Sequence, residues 1–480
     1  MRPDDSQWPA WLRRNTGVEV LGPPRLFFAW LTIALSLLAI VYVGAWNAAK
    51  YPISLGYDAQ PNAAYAHILL DQHHIPTPAQ SGEANQPPAY YFIAEVAARA
   101  GHEIFGWLEA RTFPGFPEAS YRGAQILNVF LVFFSALCVL WLARVVAPDR
   151  PWVWAASVGF FAFLPVVSKV EPMLHPENLN LLCSAAAVAS MTHMLVRRRF
   201  TRLPLLVLAL AIGLGLATRL SMIFIVVALV LGSAYAVIDP SIRRIMPWRR
   251  IGALVAAVLV IAIPWVTYRA VVQHGGPLNQ TGRLIDSALH PGRHLLSDWM
   301  TTHTKFFDLS GGVFTAPWRS QFKNEAIPET YVEIWGDWLG NFAWSSYSPP
   351  PSVPAQRVLK DQSYIGVLPT LFALVGWLAL VGYALRRNRA LAPLALVPLI
   401  TVGGYLYRSY IALTHDGDLL KAVYAVNSAP VWALCFGLAT AWVASKSRLA
   451  RYGMIALFAI FAVLELQFMM YGIRDGFPIF

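Results

Sequence analysis

The sequence is poor in charge. Only 13% of its 480 residues are Asp, Glu, Lys or Arg, against 57% that are hydrophobic. A water-soluble chain of this length cannot cover its surface with so little charge, so the apolar excess has to meet lipid. Cysteine is scarce as well: Cys138, Cys183 and Cys435 each sit inside an apolar run. No disulfide framework or cysteine metal cluster can be built from them, and they read as small buried apolar residues. There is no phosphate-cradling glycine loop, no nucleophile elbow and no paired-histidine zinc motif, which removes the common soluble enzyme classes. Repeats, heptad arrays and low-complexity tracts are also missing, so solenoids and coiled coils drop out.

What the chain does have is apolar runs long enough to cross a bilayer, roughly 20 residues each. Candidate spans are 26–46, 123–143, 152–168, 179–196, 203–217, 220–238, 251–269, 364–385, 391–410, 423–444 and 453–472. The third to fifth are short, and 203–217 with 220–238 suit one tight hairpin. Lipid offers no partner for unpaired backbone groups and the runs lack the dyad alternation of a barrel, so the spans must be helices. The expected fold class is an all-α polytopic membrane protein of about eleven transmembrane helices, one domain over 1–480 with two large loops. The first run is too long for a signal core and is preceded by Arg13, Arg14 and Arg25, which predicts a retained helix.

The net charge of +11 is distributed in a telling way. Short loops carry Arg144 and Arg150, then Arg197, Arg198, Arg199 and Arg202, then Arg243, Arg244, Arg249 and Arg250. Further along come Arg386, Arg387 and Arg389, and finally Lys446, Arg448 and Arg451. With the N-terminus, these loops alternate along the eleven-span arrangement and mark the cytoplasmic side. Residues 48–122 and 270–363 then lie outside, with shorter external turns near 169–178 and 409–422. The basic charge therefore signals topology and attraction to anionic lipid headgroups, and nucleic acid is not an expected partner.

Both large loops carry pattern. In 90–107, Phe92, Ile93, Val96, Ala97, Ala100, Ile104 and Trp107 form an apolar stripe opposite Glu95, Arg99 and Glu103, which predicts a helix lying in the interface plane. Residues 61–71 suit a second short helix entered through Pro61. The loop 270–363 holds Trp299, Trp318, Trp335, Trp338 and Trp344 and the run Ser348-Pro349-Pro350-Pro351. These aromatics suit an interfacial belt and equally a sugar- or lipid-binding lid.

Polar residues gather at the expected external edge in three clusters. The first runs Gly56-Tyr57-Asp58-Ala59-Gln60-Pro61-Asn62 and Tyr65, followed by Glu83-Ala84-Asn85-Gln86-Pro87-Pro88-Ala89-Tyr90-Tyr91. The second is Glu171-Pro172-Met173-Leu174-His175-Pro176-Glu177-Asn178. The third is His415-Asp416-Gly417-Asp418, then Lys421 and Tyr424. Structural roles compete with functional ones here: Asp58 suits a helix N-cap, Glu177 a cap of its span, and Arg219 a hairpin turn reaching the headgroups. Asp418 is an expected partner of Lys421.

With an Asp just after the first helix, Gln86-Pro87-Pro88-Ala89-Tyr90-Tyr91, the Pro264-Trp265 to Gly276-Pro277 stretch and the Lys421-x-x-Tyr424 entry, the chain resembles the GT-C glycosyltransferase superfamily. The resemblance is to its polyprenyl-phosphate-sugar-dependent branch, which includes protein O-mannosyltransferases and lipid A aminoarabinose transferases. It implies an inverting transfer of a hexosyl or pentosyl group from a polyprenyl-phosphate carrier to a hydroxyl of a glycan, lipid or protein. It also implies a bacterial inner (plasma) membrane, with the active site periplasmic. Asp58 would be the base, with Glu83 or Glu177 supplying a second carboxylate. The donor phosphate would meet Lys421, Arg408, Arg219 and Tyr424. Substrate contacts are expected from Tyr57, Gln60, Gln86, Tyr90, His175 and His415. The chain departs from the pattern at Ala59, where many relatives have Glu, and at Asn62, where some have His. No metal-binding spacing is present, and a divalent cation, Mg or Mn, is the one cofactor that the resemblance leaves open. A transporter or lipid flippase is the rival class, together with an inactive GT-C relative. Transporters place polar groups at the midplane, whereas Glu465 is the one midplane charge singled out here.

Overall fold

The computed structural model describes residues 23–53, 56–105, 112–113, 116–272, 312–318, 325–336, 353–411 and 420–471. His415, Asp416 and Asp418, as well as Trp299, Trp338 and Trp344, lie outside the described residues, as do Trp107 and Gly276-Pro277.

The described chain is helical apart from a two-stranded antiparallel ribbon, β1 (Thr112–Phe113) and β2 (Phe116–Ser120). Helix α1 (Pro23–Lys50) is followed by α2 (Ala59–Asp71) and α3 (Ala89–Phe105) before the ribbon. Then come α4 (Arg122–Val146), α5 (Pro151–Ala162), α6 (Pro165–Val170), α7 (Glu177–Arg197), α8 (Arg202–Leu216), α9 (Met222–Val237), α10 (Pro240–Arg243) and α11 (Trp248–Val271). The later part holds α12 (Ala326–Trp335), α13 (Val353–Ile365), α14 (Val367–Arg386), α15 (Ala392–Ile411), a 3-10 stretch Ala422–Ser428, α16 (Ala429–Ala444) and α17 (Arg448–Phe468). The expected spans lie on helical segments, although 152–168 is divided between α5 and α6 and 423–444 begins in the 3-10 stretch. Among the described residues, 8 helical stretches are long and apolar enough to cross a membrane, and Pro151–Ala162, Arg202–Leu216 and Met222–Val237 are shorter apolar helices.

Local chemistry explains the departures from the expected spans. The run 152–168 becomes two helices because Pro165 forces the residue before it, Leu164, into an extended conformation (φ −85°, ψ 109°). Helix α2 begins two residues before Pro61. Helix α3 turns Phe92 and Val96 outward, as an interfacial helix should. Of its polar stripe only Glu95 is buried, accepting from Arg99 Nε at 3.3 Å, whereas Arg99, which also pairs with Asp71, and Glu103 are exposed.

The bundle is organised around α4 and α7, which lie against each other, with α8 on α7 and α1 on both α4 and α5. On the other side α16 packs between α5 and α14, and α15 packs on α9. The α14–α16 approach is so close that a Cβ on Gly376 would collide with the Cys435 carbonyl, so only glycine fits there. Leu35, Leu38, Val260 and Val463 stand on the outside, the apolar coat expected where lipid replaces water.

Candidate active site

Asp58 occupies an unusual backbone. It is the N-cap residue of α2 in the left-handed conformation (φ 54°, ψ 29°), and its side chain makes no capping hydrogen bond. Gly56, at φ 114°, provides the preceding turn, which an L side chain would strain. The carboxylate freed from capping meets Lys421 instead, with Nζ 3.6 Å from Oδ2. Lys421 therefore pairs with Asp58, a residue remote in sequence, among the described residues. The Asp58 side chain is 32% exposed and that of Lys421 only 5%, so the pair opens to solvent from the aspartate side.

Around this pair the sequence clusters converge. Lys421 Nζ lies 5.1 Å from the Tyr57 ring centroid and Lys169 Nζ 4.6 Å from the same ring. Tyr424 receives two guanidinium groups, Arg219 at 5.0 Å and Arg408 at 5.5 Å from its centroid. Such cation–π contacts keep charged groups near one another while shielding their repulsion. Arg408 has no carboxylate partner among the described residues. Arg219 is paired with Glu177, with Nε 2.6 Å from Oε1. Both are buried, so Arg219 is no headgroup-seeking turn residue. Glu177 also accepts from Asn180 Nδ2 at 2.6 Å and lies 3.5 Å from Ser221 Oγ. It heads α7 but is committed to this network.

Glu83 is half-buried, and its carboxyl is pushed up to about 7, first by burial and then by the Asp58 charge. Arg219, Lys421 and a hydrogen bond from Gln86 partly offset the rise. Ser81 secures the loop, its hydroxyl donating to the Pro61 carbonyl at 2.8 Å and accepting from the Glu83 N–H at 3.1 Å. Asn62, where relatives have His, accepts from the Tyr91 hydroxyl at 2.9 Å and donates to the Tyr57 carbonyl at 3.3 Å, so it braces the Asp58 turn. Tyr91 in turn stacks on Tyr65 at 4.0 Å.

Other expected substrate contacts take structural positions. Tyr90 is buried, donating to Asn128 Oδ1 at 3.3 Å and accepting from the His175 N–H at 3.0 Å. His175 Nδ1 accepts from the Glu177 N–H at 3.3 Å. Burial, with Arg219 and Lys421 nearby, holds the His175 imidazole well below its usual range and therefore neutral. The two side chains brace the turn between α6 and α7. Gln86 is buried and its carbonyl accepts from the Tyr65 hydroxyl at 3.0 Å, whereas Gln60 is exposed on α2. Trp335 is core and not a lid face: its Nε1 donates to Thr370 Oγ1 at 2.9 Å.

Two residues at the site escaped the sequence reading. Lys169 sits on six-residue α6 and Glu333 on α12, and Glu333 accepts from the Tyr57 hydroxyl at 3.2 Å and the Ala422 N–H at 2.6 Å. Nothing in their local sequence marks them, although a lysine and a glutamate inside apolar stretches are costly enough to have drawn notice. The bundle also buries Glu171 and Arg269 in addition to Glu465, so the interior is more charged than expected. Among the described residues no group of three or more His, Cys, Asp or Glu is arranged to hold a metal ion. What the site can do chemically is present one carboxylate to a hydroxyl beside a group of cations suited to a phosphate.

No protein-family model matches the chain, and no curated protein matches it in sequence. Solved structures similar to it in fold include two membrane enzymes. One is the Archaeoglobus fulgidus oligosaccharyltransferase tethered with an acceptor peptide containing the NVT sequon, at 11% identity and a TM-score of 0.50, over 94% of this chain and 55% of that one. The other is ArnT from Cupriavidus metallidurans in the apo state, at 13% identity and a TM-score of 0.51, over 94% of this chain and 77% of that one. The chain thus spans about half the length of the archaeal enzyme. It has the fold of the GT-C membrane glycosyltransferases, as the resemblance drawn from the sequence implied.

Proposed function

We propose that the chain is an inverting glycosyltransferase that moves a sugar from a polyprenyl-phosphate carrier to a hydroxyl acceptor on the external face of a bacterial inner membrane. The observation that carries this reading is the uncapped Asp58 carboxylate held beside Lys421, with the Arg219 and Arg408 guanidinium groups gathered on the Tyr424 ring. The GT-C fold and the alternation of basic loops support it, with the N-terminus cytoplasmic and residues 48–122 and 270–363 as external loops on one domain.

In the reaction, Asp58 takes the proton of the acceptor hydroxyl as the acceptor oxygen bonds to the anomeric carbon. The bond from that carbon to the phosphate oxygen breaks, and its electron pair leaves with the polyprenyl phosphate. A single displacement from the opposite face inverts the anomeric centre. Arg408, lacking a carboxylate partner among the described residues, is the first cation available to the phosphate, followed by Lys421 as Asp58 takes up its proton. Arg219 contributes field but is already balanced by Glu177. Glu83, its carboxyl raised first by burial and then by the Asp58 charge, stands as a second carboxylate near the base.

Purified protein should transfer sugar from some member of a panel of polyprenyl-phosphate sugars, or slowly hydrolyse it. Asp58→Asn should abolish this while leaving donor binding intact. Equal activity of the two proteins would remove Asp58 from the role, and failure to bind any donor would favour a transporter.

A further inference from the structure

The two halves of the site belong to segments more than 350 residues apart in sequence, Asp58 after α1 and Lys421 before α16. The element that joins them is α12. It is anchored away from the site: Trp335 Nε1 donates to Thr370 Oγ1 at 2.9 Å, the Tyr331 hydroxyl to the Ser363 carbonyl at 2.6 Å, and the Thr330 and Tyr405 hydroxyls share a bond of 2.9 Å. From this base Glu333 reaches inward, with both carboxylate oxygens engaged. Oε1 accepts from the Tyr57 hydroxyl at 3.2 Å and Oε2 from the Ala422 N–H at 2.6 Å. Tyr57 immediately precedes Asp58 and Ala422 immediately follows Lys421. One carboxylate therefore holds the residue before the base and the residue after its cation.

We propose that Glu333 is a positioning residue that fixes the spacing of Asp58 and Lys421, and so the aim of the base at the acceptor. This rests on the glycosyltransferase reading. A carboxylate suits the task because it accepts two donors and has none of its own. Because α12 is tied to α13, α14 and α15, the spacing is referred to the rigid late part of the bundle and not to the first loop alone. Misplacing a reacting group by about 1 Å costs on the order of 100-fold in rate. Arg408, the first cation available to the donor phosphate, lies on Tyr424 and makes no contact with Glu333, so binding and turnover should separate.

The test compares Glu333→Gln with Glu333→Ala. Glutamine can still serve both arms, its oxygen taking the Ala422 N–H and its amide donating to the Tyr57 oxygen, whereas alanine serves neither. Glu333→Ala should lower kcat about 100-fold with the donor KM changed less than about threefold, and Glu333→Gln should restore kcat to within about tenfold of wild type. Tyr57→Phe, which removes one arm and keeps the ring, should lose about tenfold in kcat and nothing in KM. Hydrogen exchange gives a readout that needs no activity: the Ala422 amide should exchange at least about tenfold faster in Glu333→Ala and be nearly unchanged in Glu333→Gln. Unchanged kcat and exchange in a folded Glu333→Ala protein overturn the proposal, and so does a Gln variant as inactive as the Ala variant. If Glu333→Ala does not fold, full activity in Tyr57→Phe overturns it instead. Altered exchange in a protein whose wild type transfers no sugar from any donor leaves the strut standing and removes the glycosyltransferase reading.

Discussion

Two ion pairs, Arg219–Glu177 and Asp58–Lys421, sit within one electrostatic neighbourhood and have opposite characters. The first closes at 2.6 Å with both side chains sealed from solvent, and Asn180 satisfies the remaining carboxylate oxygen. The second is looser, at 3.6 Å, with its aspartate 32% exposed and its backbone held in a left-handed turn. A dry pair with satisfied oxygens gains nothing by opening, because each ion would be left uncompensated in a medium of low dielectric. A loose, half-wet pair separates cheaply, which is what a base and a phosphate-binding cation require. The proposed function therefore rests on the second pair and leaves the first as structure.

The sharpest break would come from Asp58→Asn, which keeps size and cannot take a proton. Transfer should fall by roughly 100- to 10,000-fold, with thermal stability in detergent almost unchanged. A fall in stability without a fall in rate would reverse the assignment. Arg219→Met should act the other way, costing about 3–5 kcal/mol of stability by leaving Glu177 buried alone, readable as a lower denaturation midpoint. Adding Glu177→Gln should recover much of the loss, since the unpaired charge is then gone. Arg408→Ala, which breaks neither pair, should raise the donor KM about 10- to 100-fold with stability nearly constant, as expected for a lost charge-assisted phosphate contact.

The smallest effect concerns pH. The Glu83 carboxyl is raised from 4.5 to about 7 in the fold, so the folded state binds its proton more tightly than the unfolded chain does. Its contribution is therefore fully present below 4.5 and is lost as pH rises to about 7. Glu83→Gln should flatten the pH dependence of the denaturation midpoint across that window. An unaltered profile would show that Glu83 is wetter than its surroundings suggest.

The helices were legible because lipid forces apolar runs of fixed length, and the expected spans lie on helical segments. Where the reading slipped, a local rule had been overlooked, as with the break that Pro165 imposes before α6. At the site, Asp58, Arg219, Arg408 and Lys421 were expected from the family resemblance. The Asp58–Lys421 contact was not, because it joins residues remote in sequence; Asp418, the expected partner of Lys421, lies outside the described residues. Tyr90 and His175 looked like open polar groups and prove to be buried braces, because a short polar turn reads alike whether it faces solvent or other helices.

By itself the sequence determined that this chain lives in lipid, since that follows from composition and period. Only the tertiary structure decided which charges are spent on one another, which remain for a ligand, and that Glu333 on a separate helix bridges the neighbours of the base and its cation. Such contacts join residues hundreds of positions apart, and no local pattern encodes a distance across a bundle.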